Sequence, residues 1–130
     1  AKLLIARRLL RDTQHQRTSL NALMRGARQA WHGIRVQQPD WSDHSHSVAF
    51  SAEVREERML LHLIMNAYWG ALEFELPPVN GKAAPAWRRW IDTALPAPHD
   101  IVDWRAAAPV AGPAYRAEAR SIVVLYVALD

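Results

Sequence analysis

The period of the hydrophobic pattern changes near residue 31. In the preceding stretch, apolar residues recur at steps of three and four, at Leu20, Leu23, Met24, Ala27 and Ala30, a spacing typical of an amphipathic helix. From Trp31 onward, apolar and polar positions alternate, first around Ile34 and Val36 and then from Val48 to Val54, which is typical of strands with one buried face. The pattern predicts a short helical segment over residues 1–30 and a β domain over residues 31–130.

Further strands are predicted downstream. The run MLLHLIMN at 59–66 favours a central strand buried on both faces, although periodicity does not exclude a helix there. Shorter strands are expected at LEFEL (72–76), WRRWID (87–92) and the β-branched run 122–127, with a loop over 93–114 that holds one short strand near Ile101. Residues expected to face inward or an interface are Phe50, Leu61, Leu63, Phe74, Val124 and Tyr126. Six to eight short strands predict an antiparallel β-sandwich or barrel.

Composition restricts the functional classes. Half of the residues are hydrophobic and there is no cysteine, so a disulfide framework and a thiolate zinc site are both excluded. The first residues are apolar but include Arg7 and Arg8, so neither an export signal nor a membrane span is predicted, and we expect a cytoplasmic protein without a membrane partner. Because the chain starts with Ala rather than Met, we expect a piece of something longer.

The net charge of +3 is unevenly distributed. Residues 1–35 hold eight Lys and Arg and one acid (8 − 1 = +7), whereas residues 36–130 hold eight and twelve (8 − 12 = −4). The basic part carries no nucleic-acid motif and no interleaved aromatic residues, so a solvated helix face is favoured over nucleic-acid binding.

The segment SDHSHS holds the most concentrated candidate chemistry. Asp43, His44 and His46 are residue types that bind zinc, but no second cluster completes a site and a polar turn before a strand is favoured. A nucleophilic site could be assembled from Ser42, His44 and Asp92, yet no nucleophile-elbow motif supports it. We therefore predict no metal site and no cofactor.

A carboxylate pair is the other candidate for catalysis. Glu73 and Glu75 point to the same side of a predicted strand, but their apolar neighbours indicate the solvent face of that strand. No catalytic residue is predicted in this chain.

Tryptophan is unusually frequent, with six residues at 31, 41, 69, 87, 90 and 104. Buried, these side chains would fill the space between two sheets; exposed, they would stack on the apolar C–H faces of sugar rings. Trp41, in the loop QPDWSD, and Trp69, in NAYWG, are the two expected at the surface.

Four segments in this order and spacing carry a family resemblance: WHGIRVQQPDWSDHSHSVAF, NAYWGALEFELPP, WRRWIDTALPAPHDI and YRAEARSIVVL. Together they resemble the C-terminal end of bacterial glycogen debranching enzymes of the isoamylase type, in the α-amylase superfamily. The QPDWS loop, the LPP stop, the DTALPAP loop and the last strand are the strongest elements, and the resemblance covers essentially the whole chain.

The resemblance implies a longer protein with a catalytic domain and a separate non-catalytic domain. Such enzymes carry a (β/α)8 barrel that hydrolyses α-1,6 branch linkages, followed by an antiparallel β-sandwich of the Greek-key type. Residues 1–30 would be the helical tail of the barrel and the connection, and residues 31–130 the non-catalytic sandwich that supports it. The family's aspartate nucleophile, glutamate acid/base and second aspartate lie on the barrel, so none is carried over to this chain.

Two further partners are expected besides the barrel. The first is an α-glucan, bound through the surface tryptophans Trp41 and Trp69, and this binding is the alternative function. A homodimer is expected if the apolar stripe of residues 1–30 pairs with a second copy.

Overall fold

The computed structural model describes residues 29–79 and 87–129 of the chain. These residues form eight strands: β1 Gln29–His32, β2 Ser47–Val54, β3 Met59–Asn66, β4 Leu72–Glu75, β5 Arg88–Asp92, β6 Ala108–Pro109, β7 Ala114–Ala117 and β8 Ser121–Ala128. The described helices are two single 3-10 turns, Arg55–Glu57 and Trp104–Ala106. The structure is therefore mainly β, and it includes the predicted strands at 59–66 and 122–127.

The strands form two antiparallel sheets. The larger sheet has six strands in the order β1-β2-β3-β8-β5-β6, and the smaller sheet consists of β4 and β7. Strand β8 pairs along its full length with β3, although four strands lie between them in sequence. The chain thus leaves the large sheet after β3, builds the small sheet and the β5–β6 edge, and returns to the centre of the large sheet.

The core lies on one face of the large sheet, which we call the inner face. Its residues follow cross-strand rows such as Ala49–Ile64–Val123, because directly opposed residues of neighbouring strands share a face. Side chains from β4, β7 and the segments around them complete this core; they are Phe74, Leu76, Val79, Trp87 and Ala117. Trp87 is fully buried, and its indole N–H donates to the Pro77 carbonyl oxygen at 3.2 Å.

The opposite face of the large sheet, the outer face, is also apolar. It carries the rows Trp31–Phe50–Leu63–Val124 and Val48–Met65–Ile122, together with Leu61 and Tyr126. Trp31 and Ile122 are 43% and 49% exposed, and the side chains between them are buried or half-buried. Antiparallel sheets usually have one solvated polar face, so a second apolar face needs a physical explanation.

The residues predicted to face inward or an interface divide between the two faces of the large sheet. Phe74 lies in the core, and Phe50, Leu61, Leu63, Val124 and Tyr126 lie on the outer face, where they are buried or half-buried. Alternation along a strand divides its side chains into two sets, one on each face of the sheet. When both sets are apolar, alternation does not show which set faces the second sheet. In β3 the core side of the strand includes a histidine and an asparagine, His62 and Asn66, both fully or almost fully buried.

A correction concerns the strand predicted around Ile34 and Val36. Strand β1 starts at Gln29 and ends at His32, and residues 33–37 form bends and turns. Gly33 lies so close to the following chain that a Cβ would be 2.3 Å from the Gln38 carbonyl oxygen, and Gln37 has φ 58°. These features close a tight turn that alternation alone does not reveal.

The predicted helical segment over residues 1–30 lies outside the described residues except for positions 29 and 30, which belong to β1. In the described part of the chain, no helix has the length and apolar character needed to cross a membrane.

Candidate functional site

Aromatic side chains gather at two places near the ends of β1, β2 and β3. The first group, the Trp31 cluster, consists of Trp31, Trp41 and Phe50. Trp31 and Trp41 meet edge to face with ring centroids 5.3 Å apart, and Trp31 lies 4.6 Å from Phe50. Since Trp31 and Phe50 are cross-strand partners on the outer face, Trp41 extends that apolar face from the neighbouring loop.

The second group, the aromatic platform, consists of His46, Tyr68 and Trp69. Tyr68 and Trp69 stack with centroids 4.5 Å apart and planes 32° from parallel. The His46 ring contacts both, at 6.4 Å from Tyr68 and 5.8 Å from Trp69. Trp69 is 69% exposed and Trp41 is 65% exposed, which confirms the prediction that these two indoles lie at the surface.

The turn that carries the platform is fixed by the buried side chain of Asn66. The Asn66 Oδ1 accepts from the Tyr68 backbone N–H at 3.0 Å. Its Nδ2 carries two hydrogens and donates to three carbonyl oxygens, those of Gly70, Ala117 and Glu118, at 3.1, 3.2 and 3.1 Å, so one N–H is shared between two of them. One amide thus ties the turn to itself and to the end of β7, so the platform rests on a rigid base.

Backbone contacts fix the same turn from two more directions. The Ala67 N–H donates to the His46 carbonyl oxygen at 2.8 Å, and the Arg120 N–H donates to the Tyr68 carbonyl oxygen at 3.1 Å. Gly70 leaves space for the phenol ring, because a Cβ at that position would lie 3.2 Å from Tyr68 Cε1. The sequence signal for this arrangement is the run NAYWG, in which surface exposure was predicted for the tryptophan alone.

A chain of hydrogen bonds crosses the inner face from β1 to β3. The Gln37 backbone N–H donates to His32 Nδ1 at 2.8 Å, so in the neutral ring the proton is on Nε2. That N–H then donates to Ser51 Oγ at 2.8 Å, and the Ser51 hydroxyl donates to His62 Nδ1 at 2.9 Å. This direction leaves the His62 proton on Nε2.

The His62 Nε2 atom is buried and has no hydrogen-bond partner among the described residues. The His62 ring lies 5.6 Å from the Trp87 ring. Burial lowers the pKa of His62 to about 3, with the neighbouring His32 as a second cause, and burial also lowers the pKa of His32. Both rings are therefore neutral at pH 7, and the chain of hydrogen bonds acts as a structural link between β1, β2 and β3.

The structure does not assemble the Ser42, His44 and Asp92 site. Asp92 is buried on β5, where its carboxylate accepts from the Tyr115 hydroxyl and from the Ala94 backbone N–H. Ser42 lies in an exposed turn, in which its N–H donates to Asp40 at 3.0 Å. The pKa of Tyr115 is raised above its ordinary value by burial and by Asp92, as expected for a phenol that donates to a buried carboxylate.

The remaining candidates lie where the sequence predicted. Glu73 and Glu75 are exposed on β4, on the opposite side from the buried Phe74. Asp43 and His44 are exposed in the turn before β2, whereas His46 contacts the aromatic platform. Within residues 29–79 and 87–129, no group of three or more His, Cys, Asp and Glu side chains has the arrangement of a metal site.

These residues form a β-rich domain with a packed core, an apolar outer face and surface aromatic groups. The family model for the C-terminal domain of isoamylases 1–3 matches residues 30–124. The chain therefore belongs to the isoamylase C-terminal domain family.

Curated relatives agree with this assignment. The chain is 36% identical over 75 residues to isoamylase 1, chloroplastic, of Oryza sativa subsp. japonica, covering 55% of this chain and 8% of that protein. It is 31% identical over 83 residues to isoamylase 1, chloroplastic, of Arabidopsis thaliana, covering 64% of this chain and 10% of that protein. The matched part of the chain thus spans about a tenth or less of the length of these relatives.

Proposed function

We propose that this chain is the non-catalytic C-terminal β-sandwich, of the Greek-key type, of a debranching enzyme that hydrolyses α-1,6 branch linkages of glycogen. Its role is to pack against the catalytic (β/α)8 barrel of the same polypeptide and to stabilise it. The observation that carries this proposal is the apolar outer face, with Trp31 and Ile122 partly exposed at opposite sides of it. Burial of such side chains contributes about 1.5–3 kcal/mol each.

The lengths of the relatives support the proposal that the catalytic barrel covers the outer face. Because the matched region is 8% and 10% of the two isoamylases, most of such a protein lies outside this domain and offers a surface to cover the face. The gene region upstream of the codon for Ala1 provides the first test. We expect it to encode a barrel with an aspartate nucleophile and a glutamate acid/base, and a gene without that region would overturn the proposal.

A substitution on the outer face tests the packing directly. Ile122→Glu places a charge on a side chain that is 49% exposed in this chain, so the 130-residue chain should lose no more than about 1 kcal/mol. In the full-length protein the same charge would be buried, and we expect a fall of several degrees in Tm together with reduced release of reducing ends from glycogen. The control is Glu73→Gln on exposed β4. Equal effects of Ile122→Glu in both proteins would contradict the proposal.

The second candidate function is α-glucan binding. It is favoured by one observation, the exposed indole of Trp69 stacked on Tyr68. The bacterial source, the cytoplasmic location and a homodimer through residues 1–30 stay predictions. Sizing of the 130-residue chain at several concentrations tests the dimer, which requires an apparent mass that increases with concentration.

A further inference from the structure

Trp41 and Trp69 are both exposed, but their surroundings differ, and this difference indicates which of the two binds sugar. Trp41 contacts Trp31, a residue of the outer face, so it lies with the surface proposed to pack on the barrel. Trp69 instead contacts Tyr68 and His46, at the turn that follows β3. The two rings beside the exposed Trp69 indole, an imidazole and a phenol, both carry polar atoms.

We propose that the aromatic platform of His46, Tyr68 and Trp69 is an α-glucan site, in which one glucose ring stacks on the free side of the Trp69 indole. This inference rests on the second candidate function above and assigns it to one tryptophan. The Tyr68 ring covers one side of Trp69 at a centroid distance of 4.5 Å, and the indole remains 69% exposed. A pyranose has an apolar C–H face that fits the electron-rich face of an indole.

Polar groups around the indole match the rim of a sugar. The His46 side chain is exposed and lies 5.8 Å from the indole centroid, and the half-buried Tyr68 carries a hydroxyl. Both can hydrogen-bond to sugar hydroxyls while the rings supply the apolar contact, the combination that binding sites use to fix orientation. Residues 36–130 have a net charge of −4, which disfavours a nucleic acid as the stacking ligand.

The rigid base of the platform reduces the entropy cost of binding. Asn66 is 2% exposed; its Oδ1 accepts one hydrogen bond and its two N–H groups donate to three carbonyl oxygens, and these bonds fix the turn. These bonds hold the backbone on both sides of Trp69, so the fold itself fixes the turn that presents the indole, which favours affinity. Asn66 is in this sense a positioning residue for Trp69.

The experiment titrates the 130-residue chain with maltoheptaose and follows the indole N–H signals of the six tryptophans by NMR. We expect the Trp69 signal to shift in a saturable manner, while the Trp41 signal stays in place. Trp69→Ala should weaken binding by about tenfold or more, and Trp69→Phe, which keeps a flat ring, by less. Trp41→Ala is the matched control and should bind as the unchanged chain does.

Three outcomes would overturn the proposal: no saturable shift of the Trp69 signal, unchanged affinity in Trp69→Ala, or loss of binding in Trp41→Ala. Circular dichroism and Tm of each variant verify folding. Failure here is distinguishable from failure of the packing function, because the packing test uses Ile122 on the outer face and measures stability rather than sugar affinity.

Discussion

The indole rings of Trp31 and Trp41 meet edge to face, with centroids 5.3 Å apart and planes at 71°. This geometry is one of the favoured arrangements of aromatic pairs and stabilises beyond the area it buries. Trp41 lies in a loop without regular secondary structure, so the contact attaches that loop to the edge of the large sheet. The loop also connects to His46 of the aromatic platform, five residues later.

The pair energy of these two tryptophans can be measured. Trp41→Ala should lower the free energy of unfolding by about 1 kcal/mol. Trp31→Ala should lower it more, because Trp31 also packs on Phe50 at 4.6 Å. A double-mutant cycle from urea unfolding should give a coupling of about 0.5–1.5 kcal/mol between the two positions. Additive effects would show that the contact contributes nothing to stability.

Removal of the Asn66 side chain is expected to cost more than any surface change. Asn66→Ala removes the side-chain partner of the Tyr68 N–H and of the Ala117 carbonyl oxygen, whereas the Glu118 carbonyl oxygen keeps its bond from Ser121 Oγ. Each buried polar group left unpaired costs about 1–3 kcal/mol. We expect a loss of about 3 kcal/mol or more in urea unfolding. Gln38→Ala, at an exposed position, is the control and should change stability by less than about 0.5 kcal/mol. A loss of that smaller size in Asn66→Ala would contradict the assigned role.

The stability of the chain should fall with acid because of the buried histidines. The pKa of His62 is lowered to about 3 in the folded state, below its ordinary value of 6.5. The unfolded chain therefore binds a proton first, so the contribution is fully present above about pH 6.5 and is lost as the pH falls toward 3. In this window the protonation of His62 lowers the free energy of unfolding by up to about 1.4 kcal/mol per pH unit.

Protonation of His32 should also lower the stability of the folded chain, for a structural reason. Its Nδ1 accepts from the Gln37 N–H, so a proton on Nδ1 would place two donors against each other. Urea unfolding at several values between pH 7.5 and 4.5 measures the slope. His62→Leu should reduce the slope, whereas His44→Ala, at an exposed position, should leave it unchanged. An equal slope in His62→Leu and the unchanged chain would refute the prediction.

Much of the fold could be predicted because period and composition agree in the long strands. The run 59–66 became β3 with the predicted bounds, and 122–127 lies within β8. The face of each strand could not be predicted in the same way, because both faces of the large sheet are apolar. The inner face carries the buried polar side chains His62 and Asn66, and Asn66 bonds to carbonyl oxygens that lie 51 and 52 residues away in sequence.

The candidate site was predictable only in part for a related reason. Exposure of Trp41 and Trp69 followed from their turn-rich neighbours, but their different contacts depend on which chain segments meet in space. Asn66 and Tyr68 stand beside Trp69 in sequence, yet the bonds from Asn66 to Ala117 and Glu118 join positions 51 and 52 residues apart. No local pattern contains that information.

The space above Gly70 offers a test of platform geometry that leaves every aromatic side chain in place. In Gly70→Ala the new methyl group would lie 3.2 Å from Tyr68 Cε1 and 3.5 Å from Cδ1, so the phenol ring has to move by a few tenths of an ångström. Because Tyr68 supports the Trp69 indole from one side, that movement should tilt the surface on which the sugar stacks. We expect maltoheptaose affinity to fall about threefold to tenfold.

The same substitution should have little effect on the fold. The Tyr68 ring is half-buried and lies beside a surface turn, so we expect the free energy of unfolding of Gly70→Ala to change by less than about 1 kcal/mol. Gly112→Ala is not a matched control, because Gly112 has φ 80° and an alanine there would be strained. Ala71→Ser, next in the chain and half-buried, changes one atom without adding a contact at Gly70 and serves instead. If Gly70→Ala binds maltoheptaose as tightly as Ala71→Ser does, the phenol does not set the orientation of the indole.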